Sequence, residues 1–349
     1  MKRIAVYVPT LRSGGAEKQA TILAAMLSSE HEVHLITLDS RHEDHAPNVR
    51  RLEMSSVIRH FIYGNAFSKV RQLRSILSEN KIDVMFNYLT TPDVLGCYAG
   101  RRAGVGKIYN GIRNSQLPYT KFIFEKYVHN RWATGTVFNC QSGLDAFVSR
   151  GFRRDRCIFI PNCYPDVSPP VSRPDKREKE IITVGRFVPQ KDYLTAIKAI
   201  AVLHDRKDFR FNIVGYGVLE KQIRRWIVDY GIQGCTTISI DPPNVKELMH
   251  NADIYLSTSL FEGTSNSIME ALDFSLPVVC TDVGDNNRLV MNGVNGYLHR
   301  VRDYSAIANS IGMLLDDLSM RNNFGRKGNL HLRENFSPSL FFSRYSELL

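Results

Sequence analysis

Two glutamates, Glu262 and Glu270, stand with seven residues between them. The intervening run opens Gly263-Thr264-Ser265-Asn266-Ser267, which is rich in hydroxyl and amide side chains. An apolar, β-branched stretch at 252–258 precedes it, and "IMEAL" continues it with helical character. Gly263 permits an unusual backbone angle, and Thr264 to Ser267 are residue types that begin helices. A helix start offers free N–H groups and a positive dipole end, which suit a phosphate. A carboxylate beside it accepts hydrogen bonds from the vicinal hydroxyls of a ribose or hexose. Phosphate between, sugars at either end, is the layout of a nucleotide sugar. Ser267 and Glu270 also fit a capping box, Ser-x-x-Glu, which would account for Glu270 by helix capping alone. It would leave Glu262 unexplained.

Two further stretches have chemistry of the same kind. In "PTLRSGGAEKQA" (9–20), Gly14 and Gly15 let the backbone approach a ligand just ahead of a helix, although a tight turn without a ligand explains them equally well. No Gly-Lys-Ser/Thr follows and the pattern is not Gly-x-Gly-x-x-Gly, so neither a P-loop nor a nicotinamide-binding turn is indicated. In "VGRFVPQKDY" (184–193), Arg186 and Lys191 stand at a strand end before a helix. Arginine can clasp two oxygens and lysine acts as a point charge, so the pair suits a diphosphate; solvated surface cations are the plainer alternative.

The elements that must hold these residues alternate. Strands are expected at 2–8, 32–38, 82–88, 107–112, 135–140 and 157–161, with helices between them. A stretch with five prolines, 161–180, interrupts the pattern, which then resumes with strands at 180–185, 209–215, 236–240, 252–258 and 277–280. Helices fit at 192–204, 218–230, 244–251, 266–275 and 303–317. The reading is α/β: two doubly wound, Rossmann-like domains at 1–163 and 181–335, a Pro-rich linker at 164–180, and a C-terminal helix at 336–349 packing back on the first domain. Such sheets bind ligands at the carboxyl ends of their strands, in a cleft between the two domains.

Charge is divided unevenly. Residues 1–170 hold 23 Lys and Arg against 14 Asp and Glu, while 171–349 hold 22 against 21, so one half carries nearly all of the net +10. A basic half points to an anionic partner, or to a basic surface with none. The six cysteines are scattered without a CxxC pair, as expected for reduced thiols in a cytoplasmic protein rather than a disulfide frame or zinc site. The apolar run at the N-terminus is too short for a signal peptide, and no stretch is long enough to span a bilayer.

Taken together these stretches resemble glycosyltransferase family 4, of the GT-B fold. Glu262 and Glu270 match its E-x(7)-E signature, "SGGAEK" its glycine-rich first loop, and "GRFVPQK" its GR…K element. "GYGVLEKQI" (215–223) and "TDVG…NGVNGYL" (281–298) match further segments in the family's order. The resemblance implies retaining transfer from a nucleoside diphosphate sugar, most commonly a UDP-sugar, with no metal and no cofactor. It implies Arg186, Lys191 and Glu262 as catalytic residues. Donor binding would fall to Gly14, Gly15, Arg186, Lys191, Gly263, Thr264, Ser265, Asn266, Ser267 and Glu270, with Glu270 on the ribose. Where many members have a histidine near the sugar, this chain has Arg113 and Asn114, which become the acceptor or sugar residues. Arg288 stands where the family often has glutamate.

The basic first half, and the mixed aromatic and cationic stretches 66–77 and 117–131, suggest an acceptor on an anionic membrane surface. Ordinary surface helices with solvated basic faces are the alternative. On the first reading the acceptor is a polyprenyl-diphosphate-linked saccharide, the pathway a capsule or O-antigen, and the protein peripheral on the inner face of the cell membrane. A GT-B enzyme with a soluble sugar or sugar-phosphate acceptor is a second reading. A nucleic-acid-binding protein is a third, without a recognisable binding motif to support it.

Overall fold

The computed structural model describes residues 1–12, 14–38, 44–113 and 116–349. The chain forms two compact units, one of Met1–Cys163 with Pro338–Leu349, the other of Tyr164–Ser337.

The first unit is built on seven parallel strands: β1 (Arg3–Tyr7), β2 (Glu32–Leu38), β3 (Ile58–Ile62), β4 (Val84–Asn87), β5 (Lys107–Ile112), β6 (Gly135–Phe138) and β7 (Cys157–Phe159). Their order is β3-β2-β1-β4-β5-β6-β7. Alternate residues of β1 go to opposite faces: Ile4 and Val6 pack with Leu23 and Leu35, Ala5 and Tyr7 with Leu73 and Met85. Both faces are therefore apolar, which is why the strand reads as a continuous hydrophobic run.

The second unit repeats the plan with β8 (Lys179–Val184), β9 (Phe209–Gly215), β10 (Thr236–Ile240), β11 (Ile254–Ser257), β12 (Val278–Thr281) and β13 (Gly296–His299), ordered β10-β9-β8-β11-β12-β13. In each sheet the order reverses beside the first strand, between β1 and β4 and between β8 and β11. Loops leaving the carboxyl ends on either side of that reversal diverge and leave room for a ligand. Those loops carry Gly14–Gly15 in the first unit, and Arg186–Lys191 and Glu262–Ser267 in the second.

Two strands and two helices, one of them the short Asn286–Leu289, were not expected from the sequence. β3 is an edge strand carrying Arg59 and His60, and β13 is a four-residue edge strand starting at a glycine, so neither shows an apolar run. The helix Leu318–Asn335 is rich in asparagine and glycine, poor helix formers held here by packing of Phe324 and Leu332.

The Pro-rich stretch is pinned along the second unit. The Ser168 amide donates to the Asp273 carboxylate at 2.6 Å, and the Tyr164 hydroxyl to its other oxygen at 3.1 Å. The Arg173 guanidinium donates to the carbonyls of Ala252, Phe274 and Ser275. The last helix, Pro338–Ser346, buries Phe341 and Tyr345 in the first unit's core.

Candidate active site

In the second unit the loop after β8 folds as a single 3-10 turn, Pro189–Lys191, stopped by Asp192 in the left-handed region at φ 44°. This turn brings Lys191 back over Gly185, where the absence of a side chain leaves room for the lysine stem; a Cβ there would lie 3.3 Å from Lys191 Cε. Gly215 and Gly217 hold the same loop from the neighbouring strand. Both have positive φ, and a Cβ on Gly215 would collide with the Gly185 carbonyl. The Phe187 amide then donates to the Tyr216 carbonyl at 2.7 Å.

The loop after β11 is stitched to it. The Leu260 amide donates to the Gln190 carbonyl and the Gln190 side-chain amide to the Phe261 carbonyl, each at 2.8 Å. The Thr258 hydroxyl lies 2.9 Å from the Asp192 carbonyl. This brings Lys191 and Glu262 together: Nζ is 2.6 Å from Oε1, with the lysine side chain 20% and the glutamate side chain 10% exposed. The Ser259 hydroxyl donates to the same oxygen at 2.7 Å. A third loop braces Glu262 from behind. Gly284 has φ 59°, and a Cβ on it would come within 2.5 Å of the Glu262 carbonyl oxygen. The Asp285 amide donates to the Gly263 carbonyl at 3.2 Å.

Gly263, Thr264 and Ser265 follow, all buried, and the helix Asn266–Asp273 begins. Its N-cap is Ser265, whose side chain makes no capping hydrogen bond. The expected capping box does not form, because Ser267 is already inside the first turn and its hydroxyl meets that of Ser265 at 3.2 Å. Helix capping therefore does not account for Glu270. That residue is half-buried one turn further on, near Tyr164 and Tyr255, whose phenols are pushed up chiefly by burial and further by its charge. The N-cap side chain does not take up the donors of the helix start, which lies beside an ion pair that carries both charges needed near a diphosphate sugar. Arg186, by contrast, is exposed and makes no side-chain hydrogen bond or ion pair among the described residues.

In the first unit Gly14 is the N-cap of the helix Gly15–Leu27, again without a side-chain capping bond. Glu17 lies against it, so its carboxylate already occupies the helix start and receives the Thr10 hydroxyl at 3.4 Å. An anion arriving there would have to displace it.

Arg113 follows β5 and is half-buried, with Nε and Nη1 of its guanidinium out of solvent. Its guanidinium stacks 4.1 Å over the Tyr88 ring and donates to the Tyr345 hydroxyl at 2.9 Å, while Nε and Nη1 have no partner among the described residues. Asn114 lies outside the described residues. Behind Arg113 two buried carboxyls, Asp93 and Glu125, face one another. Burial and mutual repulsion push Asp93 well up, and burial pushes Glu125 to about 7. Arg288 pairs with Asp285 at 3.3 Å. Among the described residues no group of three or more His, Cys, Asp or Glu is placed to hold a metal ion.

On the helix Tyr119–Arg131, the side chains of Tyr119, Ile123, Phe124 and Tyr127 are exposed along one face, with Lys121 exposed beside them. No described helix is long and apolar enough to cross a membrane.

Sequence reasoning did not single out Ser259, Gln190 or Gly284. Ser259 and Gln190 lie within three residues of named site residues, and Gly284 lies in the matched "TDVG" segment, but nothing in their types announces a partner across two loops.

Residues 13–166 match the family model described as Glycosyltransferase Family 4, and residues 166–331 the one described as Glycosyl transferases group 1. The chain belongs to this glycosyltransferase family. It is 25% identical over 336 residues, covering 92% of this chain and 91% of the other, to a Campylobacter jejuni GalNAc-alpha-(1->4)-GalNAc-alpha-(1->3)-diNAcBac-PP-undecaprenol alpha-1,4-N-acetyl-D-galactosaminyltransferase. It is 23% identical to an Escherichia coli UDP-Gal:alpha-D-GlcNAc-diphosphoundecaprenol alpha-1,3-galactosyltransferase, covering 70% of this chain and 69% of that one. The crystal structure of Anabaena Alr3699/HepE in complex with UDP-glucose superposes with a TM-score of 0.84 at 18% identity, covering 99% of each chain. The fold is GT-B, with two Rossmann-like units, and the protein is a glycosyltransferase.

Proposed function

We propose that this glycosyltransferase moves a sugar, with retention, from a UDP-sugar to a saccharide carried on a polyprenyl diphosphate, in the assembly of a bacterial surface polysaccharide. The names of the relatives from C. jejuni and E. coli support the acceptor class, and the UDP-glucose complex of the structural neighbour supports the donor. The observation that carries the reading is the side-chain-uncapped start of Asn266–Asp273 beside the Lys191–Glu262 pair.

In this reading Glu270 holds the ribose and Glu262 the donor-sugar hydroxyls. Backbone amides at Gly263–Ser267 contact sugar and phosphate. Gly14 and Gly15 join in donor binding once Glu17 yields. As the bond from the anomeric carbon to the diphosphate breaks, its electron pair passes to the diphosphate oxygen. Lys191 has two N–H groups left after Glu262 to meet that charge, and exposed Arg186 has its whole fork. These cations supply electrostatically what a metal would supply. The acceptor oxygen attacks on the face that the diphosphate leaves and passes its proton to the departing diphosphate oxygen. Arg113 and Asn114 belong to acceptor or sugar recognition, and the aromatic face of Tyr119–Arg131 with its lysines rests on an anionic membrane surface.

A thermal-shift screen against UDP, GDP, ADP and UDP-sugars tests the donor, and transfer to a polyprenyl-diphosphate saccharide, with and without EDTA, tests the rest. A uridine-selective shift and an EDTA-insensitive α-linked product are expected. An inverted product would remove retention, and no nucleotide shift with acceptor present would remove the donor site. Flotation with anionic but not neutral vesicles is expected; equal recovery with both would remove the electrostatic part of the membrane contact.

A further inference from the structure

At the opposite end of the first sheet, where β1, β4 and β5 begin, lies a cavity of about 640 Å³. Lys2, Arg3, Lys81 and Lys107 line it, with Asp83 as the acidic side chain among its walls. Asp83 is already engaged, accepting the Arg3 backbone N–H at 2.8 Å. Lys107 is engaged too, donating to the carbonyls of Leu348 and Leu349 at 3.1 and 3.0 Å. The side chains of Lys2, Arg3 and Lys81 make no hydrogen bond or ion pair among the described residues. Three uncommitted cations around one concavity create a positive potential that an anion would neutralise.

Lys81 is placed there at a conformational cost. The helices Ala66–Glu79 and Thr90–Ala103 end side by side at this cavity, each in a left-handed turn. The second uses Gly104, at φ 78°, where a Cβ would meet nothing within 4 Å, so glycine serves the backbone angle alone. The first puts Lys81 in the same role at φ 46°, where side-chain-bearing residues are disfavoured. Its turn is closed by the Ile82 amide on the Leu77 carbonyl at 3.0 Å. These turn bonds engage part of the carbonyl ends of the helix, whose negative dipole end would otherwise be the natural reason for a cation here.

We propose that this cavity binds a multiply charged phosphate or diphosphate group through Lys2, Arg3 and Lys81. It is large enough for a phosphorylated small molecule. The group comes either from a free metabolite or from a lipid headgroup. The proposal does not depend on the donor or acceptor of the transfer reaction.

The test is titration calorimetry with inorganic diphosphate, together with flotation on phosphatidylglycerol vesicles. Four proteins are compared: the wild type, Lys2→Gln/Lys81→Gly, a surface control Lys207→Gln/Arg326→Gln in the second unit, and Arg186→Ala/Lys191→Ala. Glycine suits the left-handed position, so the cavity variant should melt no lower than the wild type. A loss of roughly tenfold or more in diphosphate affinity confined to the cavity variant, and absent from Arg186→Ala/Lys191→Ala, supports a free phosphorylated ligand. A fall in vesicle recovery confined to the cavity variant supports a headgroup. No change in either assay, or an equal fall in the surface control, overturns the site.

Discussion

Removing Lys191 separates its two roles, which the geometry makes distinguishable. In Lys191→Ala the Glu262 carboxylate loses its 2.6 Å cation and keeps only the Ser259 hydroxyl in a site where its side chain is 10% exposed. Stripping one partner from a fully buried pair costs about 3–5 kcal/mol. Here the lysine is 20% exposed and Ser259 remains, so roughly 2 kcal/mol is the appropriate discount. For a unit of this size that is a fall of about 4–8 °C in melting temperature. Loss of charge stabilisation on the leaving diphosphate costs about 10²–10³ in turnover. The assay is differential scanning fluorimetry beside steady-state transfer, with kcat and donor KM determined separately. Expected is a large fall in kcat with a smaller change in KM. The companion Glu262→Gln tests the pair from the other side: it keeps the Ser259 contact, leaves Lys191 free for the diphosphate, and should lose less turnover than Lys191→Ala. If Lys191→Ala melted lower by the stated amount yet turned over within threefold of the wild type, the lysine would be a structural partner of Glu262 and its catalytic assignment would fail.

Glu270→Ala should raise the donor Kd about 10–100-fold, the worth of a charge-assisted hydrogen bond to a ribose hydroxyl, while leaving the helix intact because its N-cap is Ser265, five residues earlier; calorimetry with UDP measures it. Gly284→Ala forces a Cβ against the Glu262 backbone at a left-handed angle and should destabilise by about 2 kcal/mol or more while misplacing Glu262; unaltered activity would show that the loop does not need this brace. Burial pushes the Glu125 carboxyl up to about 7, so between its ordinary value and 7 the folded state binds more protons than the unfolded chain, and stability falls as pH rises through that window. Facing groups are Asp93 and Cys97 on Thr90–Ala103, Arg113 after β5, and Lys121 on its own helix. Melting of Glu125→Gln against the wild type from pH 5 to 8 should show the variant gaining roughly 2–3 kcal/mol relative to wild type; parallel curves would mean that Glu125 does not carry the proton.

Legibility differed from residue to residue. β1 and β12 were plain because strands buried on both faces must be apolar throughout, and the helix after Glu262 was plain because hydroxyl and amide residues ahead of an apolar period mark a start. β3 was missed because an edge strand keeps Arg59 and His60 half-exposed. The Pro-rich stretch read as a linker because proline, serine and charge are its composition, yet Asp273, Ser275 and the carbonyls around Ala252 secure it from more than 70 residues away in the chain.

Periodicity along the chain was enough for the doubly wound architecture, the resemblance of its ordered motifs to a known family gave the glycosyltransferase class, and spacing within single loops nominated Glu262, Glu270, Lys191 and Arg186 as site candidates. Only the tertiary structure decided that Lys191 is already bound to Glu262, that Arg186 is not engaged among the described residues, that Glu17 sits on the Gly14 helix start, and that the Arg113 guanidinium is held against Tyr88 and Tyr345. Those facts depend on which loops the sheet order brings side by side. Residues separated by 71 positions at one site, and by 232 at the other, meet through folding and leave no periodic trace along the chain.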